Sequence, residues 1–179
     1  MMLAGPELKV VPATIHIPLS EVPRALNKTD LEEVIVITYE GLKKYFQIPR
    51  PHIVVAGLNP HAGENGKFGQ EDAEIIQPVI KKLQQKGLNI SGPHSADTLF
   101  HKAARERYDA AVGMYHDQAL IPIKTIDFDK GVNLTLGLPF IRTSPDHGTA
   151  LDIAGQGKAN PTSTIEAIKL AARLGAAND

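Results

Sequence analysis

The chain has 179 residues, of which 42% are hydrophobic, enough to bury the core of one domain or of one and a half. Lys plus Arg number 19 against 20 Asp plus Glu, so no net field draws it to nucleic acid or a membrane, and an anionic ligand must be recruited by a local cluster. The absence of cysteine excludes disulfides and thiolate ligands, fits a reducing cytoplasm, and leaves histidine and carboxylate as candidate metal ligands.

In chain order, MMLAGPELKV lacks the basic start and long apolar stretch of a signal peptide, and no later apolar run reaches transmembrane length. TDLEEVIVITYEGLKKYF places Thr29 and Glu32 at capping-box spacing and sets Leu31, Ile35, Tyr39, Leu42 and Phe46 on one face, which predicts a helix. Ile53, Val54 and Val55, closed by Gly57, predict a strand covered on both faces. From Glu71 the apolar residues Ile75, Ile76, Val79, Ile80 and Leu83 recur at helical spacing up to a capping Gly87, with Pro78 expected to kink the helix or mark its first turn. LNIS reads as a strand, SADTLFHKAARER as a helix capped by Ser95, and DAAVGMY as a second buried strand. GVNLTLGLPFIRTS offers one or two more strands, and NPTSTIEAIKLAARLG closes as an amphipathic helix with Pro161 near its start. Strands alternating with helices in this way imply an α/β/α sandwich on a mostly parallel, mixed sheet, with ligands beyond the strand ends. No repeat or linker marks an internal boundary.

Candidate chemistry follows those strand ends. His61 in NPHAGE and His116 in MYHDQ each come directly after a predicted buried strand, and His16 lies in ATIHIPL, an alternating apolar stretch consistent with a strand. Three neutral imidazoles hold a divalent ion such as zinc and leave coordination positions open for substrate. A single histidine beside a strand is also commonly a hydrogen-bonded structural residue, and the long separations lack the specificity of a local pair. Gly63, Gly66 and Gly69 allow positive φ, so LNPHAGENGKFGQED either wraps a ligand or turns tightly several times. It matches neither a dinucleotide fingerprint nor a Walker loop. Lys124, Asn133 and Arg142 sit in apolar contexts, where an anionic ligand would satisfy the charges, as would ion pairs to acids such as Asp127 or Asp146. Asp97 and Asp117 are candidate proton carriers beside a metal, or ordinary capping and surface acids. His52, His94 and His101 read as surface or capping residues. The segment SPDHGTALDIAGQGKANP, residues 144–161, is too long and turn-rich for a regular element and reads as a functional loop.

That segment resembles the HGxAxDIAGxGxANP loop of the isocitrate and isopropylmalate dehydrogenase superfamily, through His147, Gly148, Ala150, Asp152, Gly155, Gly157, Ala159, Asn160 and Pro161. Together with LNPHAGENG, GPHSADTLF, MYHDQALIPIK and GVNLTLGLPFIRTSPDHGTA, it makes the chain similar to the 4-hydroxythreonine-4-phosphate dehydrogenase family of pyridoxal phosphate biosynthesis. The resemblance implies an NAD- or NADP-dependent oxidation of 4-phosphohydroxy-L-threonine, followed by decarboxylation to 3-amino-2-oxopropyl phosphate. It implies a divalent metal on His16, His61 and His116, with zinc the first expectation and magnesium or cobalt the alternatives. Substrate contacts carry over to Lys124, Asn133 and Arg142, catalytic acids near the metal to Asp97 and Asp117, and cofactor contacts to His147, Gly148, Asp152 and Asn160. Family members are about twice as long, so residues 1–179 are expected to be the C-terminal portion, with metal, dimerisation and part of the NAD-binding region, and the N-terminal portion absent. The family's active site is completed across a homodimer, one metal ligand coming from the second subunit, and the chain alone is expected to have little or no activity. Two other readings stay open: a dehydrogenase of phosphorylated threonate or erythronate, and an inert dimerisation or ligand-binding module.

Overall fold

The structure is a computed structural model that describes residues 1–176. Strands β1 (Met2–Ala4) and β2 (Lys9–Pro12) open the chain, followed by the short helix α1 (Val22–Ala25) and the long α2 (Lys28–Phe46). Strand β3 (Ile53–Ala56) leads through the glycine-rich loop and a π-turn (Asp72–Ile76) into α3 (Gln77–Gln85). Then come β4 (Ile90–His94), α4 (Lys102–Arg105), β5 (Ala110–Gly113) and α5 (His116–Ile126), and finally β6 (Val132–Thr135), β7 (Arg142–Pro145) and α6 (Thr162–Ala176). The seven strands form one sheet in the order β4-β3-β5-β2-β1-β6-β7. Its first four are parallel, whereas β1, β6 and β7 each run antiparallel to the preceding neighbour in that order.

Alternation along the strands divides the core into two layers, because successive side chains point to opposite faces. Met2, Val11, Ile53, Val55 and Val112 face the layer that packs against α2, α3 and α6. Leu3, Val10, Val54, Ala56 and Ala111 face the layer containing Leu99 and, from α5, Ala119, Leu120 and Ile123. This is the expected α/β/α sandwich, and both-sided burial explains why β3 and β5 are apolar without interruption.

Several local expectations change. The N-cap of α2 is Asn27, whose side chain accepts from the Asp30 backbone N–H at 3.0 Å, so Thr29 lies inside the first turn. Pro78 falls in the first turn of α3, where its missing N–H is harmless, and the π-turn precedes it. SADTLFHKAARER is not one helix: a 3-10 turn (Ala96–Thr98) and α4 are separated by residues 99–101. Arg105 Nη1 donates to the Phe100 carbonyl at 2.6 Å and the Tyr108 hydroxyl to the Leu99 carbonyl at 2.9 Å, which satisfies acceptors a continuous helix would have used. His16 is not in a strand; it lies in the bend after β2. The strands β1 and β2 and the helix α5 were not anticipated.

Candidate active site

The four parallel strands end at one edge of the sheet, and the segments leaving that edge carry the predicted polar residues. In the order β4, β3, β5, β2 they deliver Asp97, His61, His116 and His16 side by side. Placement beyond the carboxyl ends of parallel strands is where α/β sheets build ligand sites.

His16 and His116 come together, their ring centroids 5.5 Å apart, in a cavity of about 310 Å³ that also takes in Asp117, Tyr115 and Leu19. His116 Nδ1 lies 2.6 Å from Asp117 Oδ1. A carboxylate accepts this bond from Nδ1–H, which leaves Nε2 with the lone pair a metal requires. Asp117, expected as a proton carrier, is thus placed to orient His116. His61 and Asp97 line an adjacent cavity of about 330 Å³ with Asn59, Ser95 and Gln118, and Tyr115 borders both cavities. His61 packs against Phe68 at 6.0 Å between centroids. Among the described residues no three His or carboxylate groups converge on one point. The donors in one chain therefore fit a divalent ion as two imidazoles beside a third, not as a closed cage.

Two residues that the sequence reading passed over organise this edge. Gln118 Oε1 accepts from the Met114 backbone N–H at 2.6 Å while its Nε2 donates to the Gly57 carbonyl at 2.8 Å, fixing the end of β5 to the end of β3. Asp72, 2% exposed, accepts from the backbone N–H groups of Leu58 and Asn59. Inside this closure His61, Ala62, Gly63, Glu64 and Asn65 are successive left-handed residues with φ of 54°, 51°, 80°, 40° and 58°. Each non-glycine there costs on the order of 1–2 kcal/mol. In sequence, Asp72 gave no signal beyond an acid after GQE, and Gln118 none beyond its place after HD. Ser95 Oγ, buried without a hydrogen-bond partner, completes the His61 pocket and was read as a helix cap.

Behind the edge, His52 Nδ1 bonds the Arg107 carbonyl at 2.8 Å, and the Ser91 hydroxyl lies 2.9 Å from the Nε2 atoms of both His52 and His94. Burial, with His52 and Arg107 nearby, holds the His94 pKa below the ordinary histidine value. His101 occupies the N-cap position of α4.

The predicted substrate residues do not touch one another. Strand register puts Asn133 opposite Leu3 and Arg142 opposite Thr135, so both share the face of the sheet that α5 covers. Lys124, on α5, makes an ion pair with Asp146 at 3.1 Å, the structural alternative raised for it. Arg142 Nη1 donates to the Thr135 hydroxyl at 3.0 Å and is otherwise exposed. Asn133 Nδ2 contacts Met1 Sδ at 3.1 Å, while its Oδ1 is buried without a partner. The other anticipated acid partner, Asp127, instead accepts from the Glu7 backbone N–H at 3.0 Å.

His147, Gly148 and Asn160 line a third cavity, about 370 Å³, with Asp146, Ala150 and Ile153. That is near the lower end for a small-molecule site, so it fits part of a dinucleotide rather than the whole. Asp152 is exposed outside this lining, its backbone carbonyl accepting from Gln156 Nε2 at 2.7 Å. Asn160 Oδ1 accepts from the Thr162 backbone N–H at 3.0 Å, capping the start of α6.

Parallel strands, crossover helices and polar groups gathered at the strands' carboxyl ends define an α/β protein built around small-molecule sites. Residues 1–171 match the sequence profile of the family described as pyridoxal phosphate biosynthetic protein PdxA. The chain belongs to that family. It is 65% identical over 171 residues to 4-hydroxythreonine-4-phosphate dehydrogenase of Ruegeria sp. (strain TM1040), covering 96% of this chain and 52% of that protein. It is likewise 65% identical over 176 residues to the enzyme of that name from Roseobacter denitrificans (strain ATCC 33942 / OCh 114), covering 98% of this chain and 54% of the relative. The crystal structure of 4-hydroxythreonine-4-phosphate dehydrogenase from Klebsiella pneumoniae superposes with a TM-score of 0.89 at 46% identity, over 99% of this chain and 53% of that one. A terephthalate 1,2-cis-dihydrodiol dehydrogenase from Burkholderia xenovorans LB400 shares the fold with a TM-score of 0.78 at 33% identity, over 96% of this chain and 54% of that one. The chain thus spans about half the length of the curated relatives it matches.

Proposed function

We propose that residues 1–179 are the C-terminal portion of a cytoplasmic NAD(P)-dependent dehydrogenase. It oxidises 4-phosphohydroxy-L-threonine, whose product decarboxylates to 3-amino-2-oxopropyl phosphate on the route to pyridoxal phosphate. The observation that carries the reading is the shared strand edge bearing His61, His116 and His16, the last two with rings 5.5 Å apart, in a chain 65% identical to proteins of that name.

In this reading His16, His61 and His116 hold a divalent cation, zinc before cobalt or magnesium, and a second copy of the chain supplies one of the three. When bound, the cation supplies Lewis acidity, lowering the pKa of a substrate hydroxyl, and bound NAD(P) supplies the hydride acceptor. Asp117 holds the His116 tautomer, and Asp97 stands beside His61 as the group able to take a proton. Lys124, Asn133 and Arg142 bind the phosphorylated substrate, each charge-assisted bond contributing on the order of 1.5–3 kcal/mol. His147, Gly148, Asp152 and Asn160 belong to the loop that holds the adenosine half of the cofactor.

Metal content is the decisive measurement. His61→Ala and His116→Ala each abolish stoichiometric zinc or cobalt binding, since two imidazoles plus water bind far more weakly than three. Unchanged metal in plasma emission spectroscopy counts against the histidine set. The half-length match favours a second reading, an inert dimerisation or ligand-binding module. Metal binding without NADH formation supports it, and activity gained on adding the portion of the relatives that this chain does not cover removes it. The dihydrodiol dehydrogenase on the same fold motivates a substrate panel that includes phosphorylated threonate and erythronate.

A further inference from the structure

We infer that Asp72 is the positioning residue for His61: its buried carboxylate imposes the left-handed path that presents the imidazole at the strand edge. This rests on the reading of His61 as a ligand, and it adds the group that presets its place.

Asp72 is 2% exposed and faces no cation within salt-bridge distance among the described residues. Its acceptors are taken up by N–H groups from the segment just before His61. Oδ1 accepts from Leu58 N at 2.9 Å, and Oδ2 from Asn59 N at 3.2 Å and Asn59 Nδ2 at 3.0 Å. Asn59 Nδ2 also reaches Glu71 Oε2 at 2.9 Å, so both acids of the GQED turn clasp one asparagine. A buried carboxylate among N–H donors has no stable alternative partner, so its bonds specify one backbone path. Glycines admit the carboxylate: a Cβ on Gly57 would stand 2.6 Å from Asp72 Oδ1, and one on Gly63 would meet Asp72 at 3.2 Å. The chain reverses between these glycines, and His61 lies at φ 54° on that reversal. Asp72 itself is held by the π-turn, whose last residue Ile76 is fully buried. A core-anchored carboxylate thus reaches back 13 and 14 residues to hold a ligand-bearing loop, as outer-shell partners of metal ligands do.

The test compares the full chain with Asp72→Asn, which keeps the shape but turns an NH₂ toward backbone donors. Hydrogen exchange at the Leu58 and Asn59 amides should speed roughly 10- to 100-fold, with Ala111 and Val112 of β5 unchanged. The His61 imidazole resonances should move, and cobalt affinity should fall roughly 10- to 100-fold. Asn59→Ala, which removes only the side-chain donor, should shift the same three readouts less and guards against a misfolded Asp72→Asn. Unaltered exchange at Leu58 and Asn59 with unmoved His61 resonances overturns the inference, as does a uniform rise in exchange that includes β5. If His61→Ala leaves cobalt binding intact, the metal reading fails by itself, while exchange and resonance positions still decide whether Asp72 places the loop.

Discussion

The chain presents two long glycine-containing loops built on opposite plans. Loop 58–72 is closed from within: Asp72 gathers N–H donors across it, Gln118 ties Gly57, the residue before it, to the end of β5, and its exit turn is rooted in the core by Ile76. Loop 146–161 is held mainly at its ends, by Lys124 on Asp146 and by Asn160 at the start of α6. Between them its groups bond near neighbours in sequence, His147 Nδ1 with the Gly148 carbonyl and Gln156 with that of Asp152, and Leu151 is 78% exposed. The first loop fixes the path of a single imidazole from within, whereas the second leaves most of its side chains exposed.

The sharpest way to break this contrast is to remove the root of the first loop. Ile76→Ala should cost about 2–5 kcal/mol in urea denaturation, the usual penalty for a buried methyl cluster, and loosen loop 58–72 with it. Gly57→Ala places a methyl against Asp72 and the Ala62 backbone and should cost about 1–3 kcal/mol, read by the same denaturation curve. A smaller effect comes from His94 behind the site. Its folded pKa lies below the ordinary 6.5, so the unfolded chain takes up the proton first, and stability present above that pH is lost as pH falls through the depressed value. Melting temperature should decline below about pH 6.5, and His94→Gln should flatten the decline by about 2 °C or less. Leu151→Ala, in the second loop, should change stability by less than about 0.5 kcal/mol, which calorimetry would register as no shift. A large loss there would erase the distinction between the loops.

What could be read in the sequence was whatever repeats at short range. The periodicity of α2, the uninterrupted apolar runs of β3 and β5 and the final amphipathic helix all reappear in the structure, as does the order of the layers. Elements stabilised by distant partners were less legible. MMLAGPELKV carries β1 and the start of β2, whose partners β6 and β5 lie a hundred or more residues away. The helix α5 contains Pro122, which masks its pattern, and the break at residues 99–101 depends on Arg105 and Tyr108 reaching back to carbonyls. His61 and His116 were singled out because strand ends are visible as sequence, whereas His16 was placed in a strand and lies in a bend. Asp72 and Gln118 were not singled out, because a buried acid and a bridging amide look like any polar residue until the chain is closed around them.

The ion pair between Lys124 and Asp146 makes the phosphate question one of exchange. If Lys124 receives the substrate phosphate as proposed, the incoming dianion would find this ammonium already engaged and would have to displace a carboxylate from it, so part of its binding energy would go into substitution rather than neutralisation. The displaced carboxylate would belong to the first residue of loop 146–161, which keeps its backbone N–H bond to the Ser163 hydroxyl at 3.2 Å. On that reading, phosphate at Lys124 and the setting of the Asp146 side chain would be coupled through a single ion pair.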